Sequence, residues 1–213
     1  MFVSLWRMNT FPASGTWYLF DYGRVISTEP LAEDWDALGE AAGLDLRSPS
    51  SSYWAARLEY DGGGLSPAEY WSSVLGRPVG GDDLDRLEEL DARLWSRLNP
   101  RTLEVLDFLA AQGAHLALLS NMPEGMSHRY ESEASWPGFF AARYFSGRLR
   151  MVKPEPQIYR HVLKGLGAAP EDVVFIDDSR ANIEAAEALG MRVVLLREDT
   201  DLRQELTLLG EPA

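Results

Sequence analysis

The sequence predicts an α/β fold: a parallel sheet with helices between its strands, and a helical segment inserted after the first strand. Three observations carry this. Short apolar runs recur through the second half of the chain and alternate with helical patterns. The runs are nearly continuous in apolar residues, as strands buried on both faces are. Residues 31–97 hold helical patterns and no convincing strand, so they interrupt the alternation after its first run.

The elements follow in order. Residues 17–20, aromatic and apolar, read as a buried strand. Residues 31–43 read as a helix that starts after Pro30 and stops at Gly43. "RSPSSS" (47–52) is a loop, and a helix over 52–60 stops at "DGGG". "SPAEYW" (66–71) offers Ser as N-cap, Pro at the first helical position and Glu at the third, a strong helix start. Residues 82–97 form an amphipathic helix. After Asn99-Pro100 a helix over 101–112 ends at Gly113, and "AHLALLS" (114–120) is a strand. Tyr144–Ser146 is a short strand, 155–166 a helix, and "VVFIDD" (173–178) an apolar strand ending in acid. A helix over 180–189 stops at Gly190 before the strand "RVVLL" (192–196). "GLGAAP" (165–170) imitates a dinucleotide loop but follows a helix, so it reads as a helix end and turn. The expected division is an α/β core of 17–30 and 98–213, an inserted helical cap of 31–97, and an N-terminal arm of 1–16.

Composition narrows the function. The 213 residues suffice for one sizeable core with a small insertion. There is no cysteine, which excludes disulfides and thiolate metal sites and fits a cytoplasmic protein. The net charge of −13 disfavours nucleic acid and anionic membranes as partners. No apolar run approaches a membrane span. "MFVSLWRMNTFPASGT" is broken by Arg7, Asn9 and Thr10 and lacks the apolar centre of a signal peptide; it reads as a short arm, or as a start upstream of Met8.

The chemistry lies at strand ends. In open parallel sheets, ligands bind beyond the carboxyl ends of the strands. Three such ends carry polar groups: Asp21; Ser120 with Asn121; Asp177 with Asp178. Lys153 precedes a proline and a helix. Together these are the parts of a phosphoryl-transfer site. Carboxylates brought together by the sheet repel unless a cation lies between them, and Mg²⁺ suits oxygen ligands and phosphate. Each residue also has a plainer reading: Asp21 as a turn former, Lys153 as a surface lysine, Asp177 or Asp178 as a helix cap. A cap needs no pair of acids after an apolar run. His115, His128 and His161 follow no metal-ligand spacing. Trp54, Arg57 and Tyr60 lie on a helix of the insertion and are candidate substrate contacts.

"LFDYGRVIS", "LLSN", "VKPEPQIY" and "VVFIDDSRANIEAAEALG", in this order, resemble the four motifs of the haloacid dehalogenase-like hydrolases. The resemblance covers nearly the whole chain, from about Trp17 to Leu196. It points to the subgroup with a helical cap after the first motif, which includes bacterial phosphatases of sugar phosphates such as glucose 1-phosphate. It implies a Rossmann-like, doubly wound core, an aspartyl-phosphate intermediate and Mg²⁺. By motif match, Asp21 is the nucleophile, and Ser120, Asn121 and Lys153 form the phosphate-binding set. Asp21, the Gly23 carbonyl and Asp178 hold the metal with Asp177 beside them, and Asn182 supports that loop. The expected enzyme removes phosphate from a small phosphorylated metabolite.

One position departs from the family pattern. The common first motif is Asp-x-Asp, whose second carboxylate protonates the leaving group and activates water. Here it is Gly23. General acid–base catalysis is worth about 10²–10⁴ in rate. The loss implies a slow enzyme, an acid supplied from elsewhere, or a substrate with a good leaving group, for which a sugar 1-phosphate would qualify. Two rivals stay open: a metal-free 2-haloacid dehalogenase using the same aspartate, and a non-catalytic binding protein of this fold.

Overall fold

A computed structural model describes residues 15–209. The expected N-terminal arm therefore lies outside the described residues, apart from its last two. Five strands form one parallel sheet: β1 (Trp17–Phe20), β2 (His115–Ser120), β3 (Ala142–Phe145), β4 (Val173–Asp177) and β5 (Arg192–Leu195). Their order is β3-β2-β1-β4-β5. The chain leaves β1 in one direction for β2 and β3, then returns to the other side for β4 and β5. The crevice for a ligand in such a sheet opens where the order reverses, between β1 and β4.

Alternate residues of each strand face opposite layers, and both faces of β1, β2 and β4 are buried, while the edge strands β3 and β5 are only partly covered. Tyr18, Phe20, Leu118, Val174 and Ile176 meet α6 (Pro100–Ala111), α7 (Glu124–Glu133) and α11 (Leu202–Leu208) on one side. Leu19, Leu119, Val173 and Phe175 meet α9 (Pro156–Leu166) and α10 (Arg180–Glu187) on the other. Two-sided burial is why these strands read as unbroken apolar runs. Of these helices, α7 and α11 were not foreseen. α7, "EGMSHRYESE", buries only Met126, Ser127 and Tyr130, so it shows little apolar period.

Residues 32–94 form α1 (Ala32–Ala42), α2 (Ser52–Ala55), α3 (Arg57–Asp61), α4 (Pro67–Leu75) and α5 (Gly81–Leu94). They surround a separate apolar cluster of Trp35, Leu38, Tyr53, Tyr70, Trp71 and Leu87. The expected Gly43 stop is a left-handed C-cap. Ser66 and Glu69 form the expected capping box. The expected helix over 52–60 is instead two short helices, because Ala56 leaves helical geometry at φ −118°, ψ 12°. The chain enters and leaves this unit through two segments paired side by side: Thr28 N–H donates to Arg97 O and Asn99 N–H to Ile26 O, both at 2.8 Å. No helix among the described residues is long and apolar enough to cross a membrane.

Candidate active site

Strand register brings the acids together. Phe20 pairs with Ile176, so Asp21 and Asp177 emerge side by side from β1 and β4. The Asp21 N–H continues the ladder to Ile176 O at 2.9 Å. Asp21, Asp177 and Asp178 each present a carboxylate oxygen within 4.8 Å of the others.

Lys153 joins two of them. Its ammonium, on a side chain almost wholly buried, donates to Asp21 Oδ1 and to Asp177 Oδ2, both at 2.7 Å. Asn121 fixes it from the backbone. The Asn121 amide donates to Lys153 O, and Lys153 N–H donates back to Asn121 Oδ1, both at 2.9 Å. Asn121 was expected to bind substrate, yet both ends of its amide are committed to Lys153. Ser120 is buried at the end of β2, and its hydroxyl has only a long 3.5 Å contact with Asn121 O. That leaves it able to donate to a ligand.

Asp177 is saturated from both sides. Its Oδ1 accepts from Ser179 N–H at 2.8 Å, and the Asn182 amide reaches both oxygens at 3.0 and 3.1 Å. Tyr159 steadies this arrangement by donating its hydroxyl to Asn182 O at 3.1 Å. Sequence reasoning passed over Tyr159, although it sits in "VKPEPQIY". Asp178 is the most exposed of the three, and Arg24 Nη1 stands 3.6 Å from its Oδ2.

The charges do not balance locally. Burial pushes Asp21 up to about 7, with Lys153 pulling it down and Asp177 pushing it further up. Burial opposes the charge of Lys153, but Asp177 and Asp21 outweigh it and hold the ammonium above its ordinary range. Both pKa values rise, which favours the charged lysine and disfavours the charged aspartate, because one ammonium serves two carboxylates. Burial, then Asp177, also raises Asp178. An oxygen set of this kind suits a hard divalent cation.

Gly23 has an ordinary backbone conformation, and a Cβ built there meets nothing within 4 Å. The positive φ of this turn belongs to Arg24, at 56°. No left-handed turn therefore requires glycine at 23.

The three candidate contacts of the insertion have internal partners. Arg57 is buried, with Nε 2.7 Å from Asp61 Oδ1 and Nη1 2.8 Å from Asp91 Oδ2. Tyr60 donates its hydroxyl to Glu88 and stacks on Tyr70 at 4.2 Å. Trp54 packs against Trp35, Tyr53 and Trp95. The end of α3 nevertheless adjoins the site. Ser146, which opens α8 (Ser146–Leu149), donates its hydroxyl to Asp61 O and accepts from Met122 N–H at 2.8 Å. A Cβ on Gly62 would lie 2.9 Å from Val152, the residue before Lys153. His128 lies on the surface beside Glu124 and Arg148.

A family model described as haloacid dehalogenase-like hydrolase matches residues 15–190. The D-ribitol-5-phosphate phosphatase of Bacteroides thetaiotaomicron is 28% identical over 205 residues, covering 90% of this chain and 96% of that protein. The phosphorylated carbohydrates phosphatase of Thermotoga maritima is 31% identical over 109 residues, half of each chain. The chain spans half or less of the length of the first curated relatives it matches. Among solved structures, a HAD family enzyme from Bacteroides thetaiotaomicron, in complex with magnesium and inorganic phosphate, superposes with a TM-score of 0.72. It is 20% identical, and the match covers 90% of this chain and 99% of that one.

Proposed function

The chain belongs to the haloacid dehalogenase-like hydrolases, and from that premise we propose that it is a Mg²⁺-dependent phosphoric monoester hydrolase acting on a small phosphorylated metabolite, a sugar or polyol phosphate. The observation that carries this reading is Asp21: a buried carboxylate at the end of the central strand, 2.7 Å from a buried ammonium, in a cluster of three acids. Two relatives named as phosphatases of phosphorylated sugars or polyols support the substrate class. The cysteine-free composition fits a cytoplasmic enzyme.

In this reading Asp21 attacks phosphorus, and the bond from phosphorus to the ester oxygen breaks. The leaving oxygen takes a proton from water, since Gly23 offers none. Water then cleaves the aspartyl phosphate, releasing phosphate and restoring Asp21. Lys153 holds Asp21 in place and offsets charge on nucleophile and phosphate. Ser120 donates to a phosphate oxygen, and Asn121 positions Lys153. Asp21, Asp178 and the Gly23 carbonyl, with Asp177 beside them, would hold the metal, which would shield the carboxylates from the phosphate dianion. Residues 31–97 act as a cap that excludes water and reads the leaving group, over a core of 17–30 and 98–213.

The acid trio favours this over a metal-free dehalogenase, whose reaction needs no divalent cation. The test is phosphate release from a panel of sugar and polyol phosphates, with Mg²⁺ and with a chelator, for wild type and Asp21→Asn. Turnover should need both the metal and Asp21. Substantial turnover by Asp21→Asn rules out the covalent route, and turnover indifferent to chelation rules out the metal. Absence of turnover on every ester favours the non-catalytic alternative.

A further inference from the structure

Arg24 has no part in the reaction as written, yet its backbone and side chain are both specifically placed. Its φ of 56° lies in the left-handed region, which is unfavourable for a residue bearing a Cβ. Its N–H donates to Ser27 Oγ at 3.2 Å. The guanidinium then lies between two carboxylates from different parts of the chain. On one side is Glu29, in the linker to α1, which takes Nη2 at 3.2 Å on one oxygen and Nε on the other. On the other side is Asp178, 3.6 Å from Nη1.

The partners within the acid trio explain why this matters. Asp21 Oδ1 and both oxygens of Asp177 already have donors from Lys153, Ser179 or Asn182. Asp178 is the acid least committed to the protein, and Arg24 is the cation beside it. With Lys153 and Arg24 both charged, the trio has one negative charge left to attract a divalent ion; without Arg24 it has two.

We propose that Arg24 is a built-in competitor for the divalent cation, weakening metal binding at Asp178, and that Glu29 sets how closely it approaches. This rests on the metal reading above. Arg24 is nearly half exposed and Glu29 more so, so water and salt temper the effect. In water two unit charges about 4 Å apart shift an affinity by about fivefold; the double charge of Mg²⁺ raises this, while salt and the exposure of Arg24 lower it, so about fivefold is the change expected.

The test is isothermal titration of Mg²⁺ into wild type, Arg24→Ala, Arg24→Gly, Glu29→Gln and the Arg24→Ala/Glu29→Gln double variant, at low and high salt. Circular dichroism and melting would check each fold. Arg24→Gly keeps the left-handed backbone without strain if Arg24→Ala folds poorly. Both Arg24 variants should bind Mg²⁺ about fivefold more tightly at low salt, with the gap narrowing at high salt. Glu29→Gln should weaken binding in wild type and have little effect in the Arg24→Ala background, a coupling that a double-mutant cycle isolates. Unchanged or weaker binding without Arg24 overturns the proposal alone. Equal weakening by Glu29→Gln in both backgrounds overturns the role of Glu29. Failure of wild type and both Arg24 variants to bind Mg²⁺ overturns the metal reading and this proposal together. A raised KM for a phosphate ester with unchanged Mg²⁺ affinity reassigns Arg24 to the substrate.

Discussion

Replacing Lys153 by methionine removes the ammonium and keeps a side chain of similar length. In the folded protein that ammonium makes two contacts of 2.7 Å, to Asp21 and to Asp177, in a place closed to water. Removing one partner of a buried ion pair costs about 3–5 kcal/mol, because the remaining charge has no compensation. That is a large part of the roughly 5–15 kcal/mol typical of a folded domain. The loss should depend on pH, and its sign follows from Asp21. Burial and Asp177 raise its pKa, while Lys153 is the main influence lowering it, so the variant raises it further. A carboxyl whose folded pKa exceeds its unfolded value keeps a proton that the unfolded chain releases. Its stability contribution therefore falls as pH rises from about 4 and is lowest above the folded pKa. The deficit of Lys153→Met against wild type should be about 1 kcal/mol larger near about pH 8 than near about pH 4.5, because Asp21 ionises near about 7 in wild type and only above that in the variant. Urea unfolding in chelator at both values measures it, provided the slopes agree. A deficit equal at both pH values would refute the electrostatic argument and assign the loss to packing of the lysine stem. Turnover should fall with the ionised fraction of Asp21.

The other predictions concern neighbouring positions. Gly23→Asp should fold, since the added side chain starts in open space and no positive φ opposes it, with a melting temperature that rises when Mg²⁺ is added to offset the fourth carboxylate. In wild type, phosphate esters with good leaving groups, such as sugar 1-phosphates, should react faster than primary alkyl phosphates, and Gly23→Asp should narrow that gap; a flat leaving-group series in wild type means another group supplies the proton. Ser146→Ala should cost about 1–3 kcal/mol by thermal or urea unfolding, because it strands the Met122 N–H and the Asp61 carbonyl in a buried seam. A loss below about 0.5 kcal/mol would mean that this hydrogen bond does not tie α3 to α8.

Much of this molecule was legible from one sequence, for identifiable reasons. β2 and β4 are buried on both faces, so "HLALLS" and "VVFID" stand out as apolar runs. The α4 start was readable because its cap is made by residues three apart on the same chain. The split of α2 from α3 at Ala56 was not, since no proline or glycine marks it. α7 was missed because its polar sequence buries few side chains.

The sequence by itself determined the α/β alternation, the helical character of 31–97 and the acid at the end of two strands, because these depend on period, composition and local caps. Tertiary structure alone decided which groups meet. Strand order makes β1 and β4 neighbours, so residues 156 positions apart, Asp21 and Asp177, share one ammonium. It also turned Asn121 toward the backbone of Lys153, directed Arg57 and Tyr60 to the acids of α5, and set Arg24 beside Asp178. Those are distances across a fold. Nothing in the spacing of residues along the chain encodes them, because each depends on how separate elements pack.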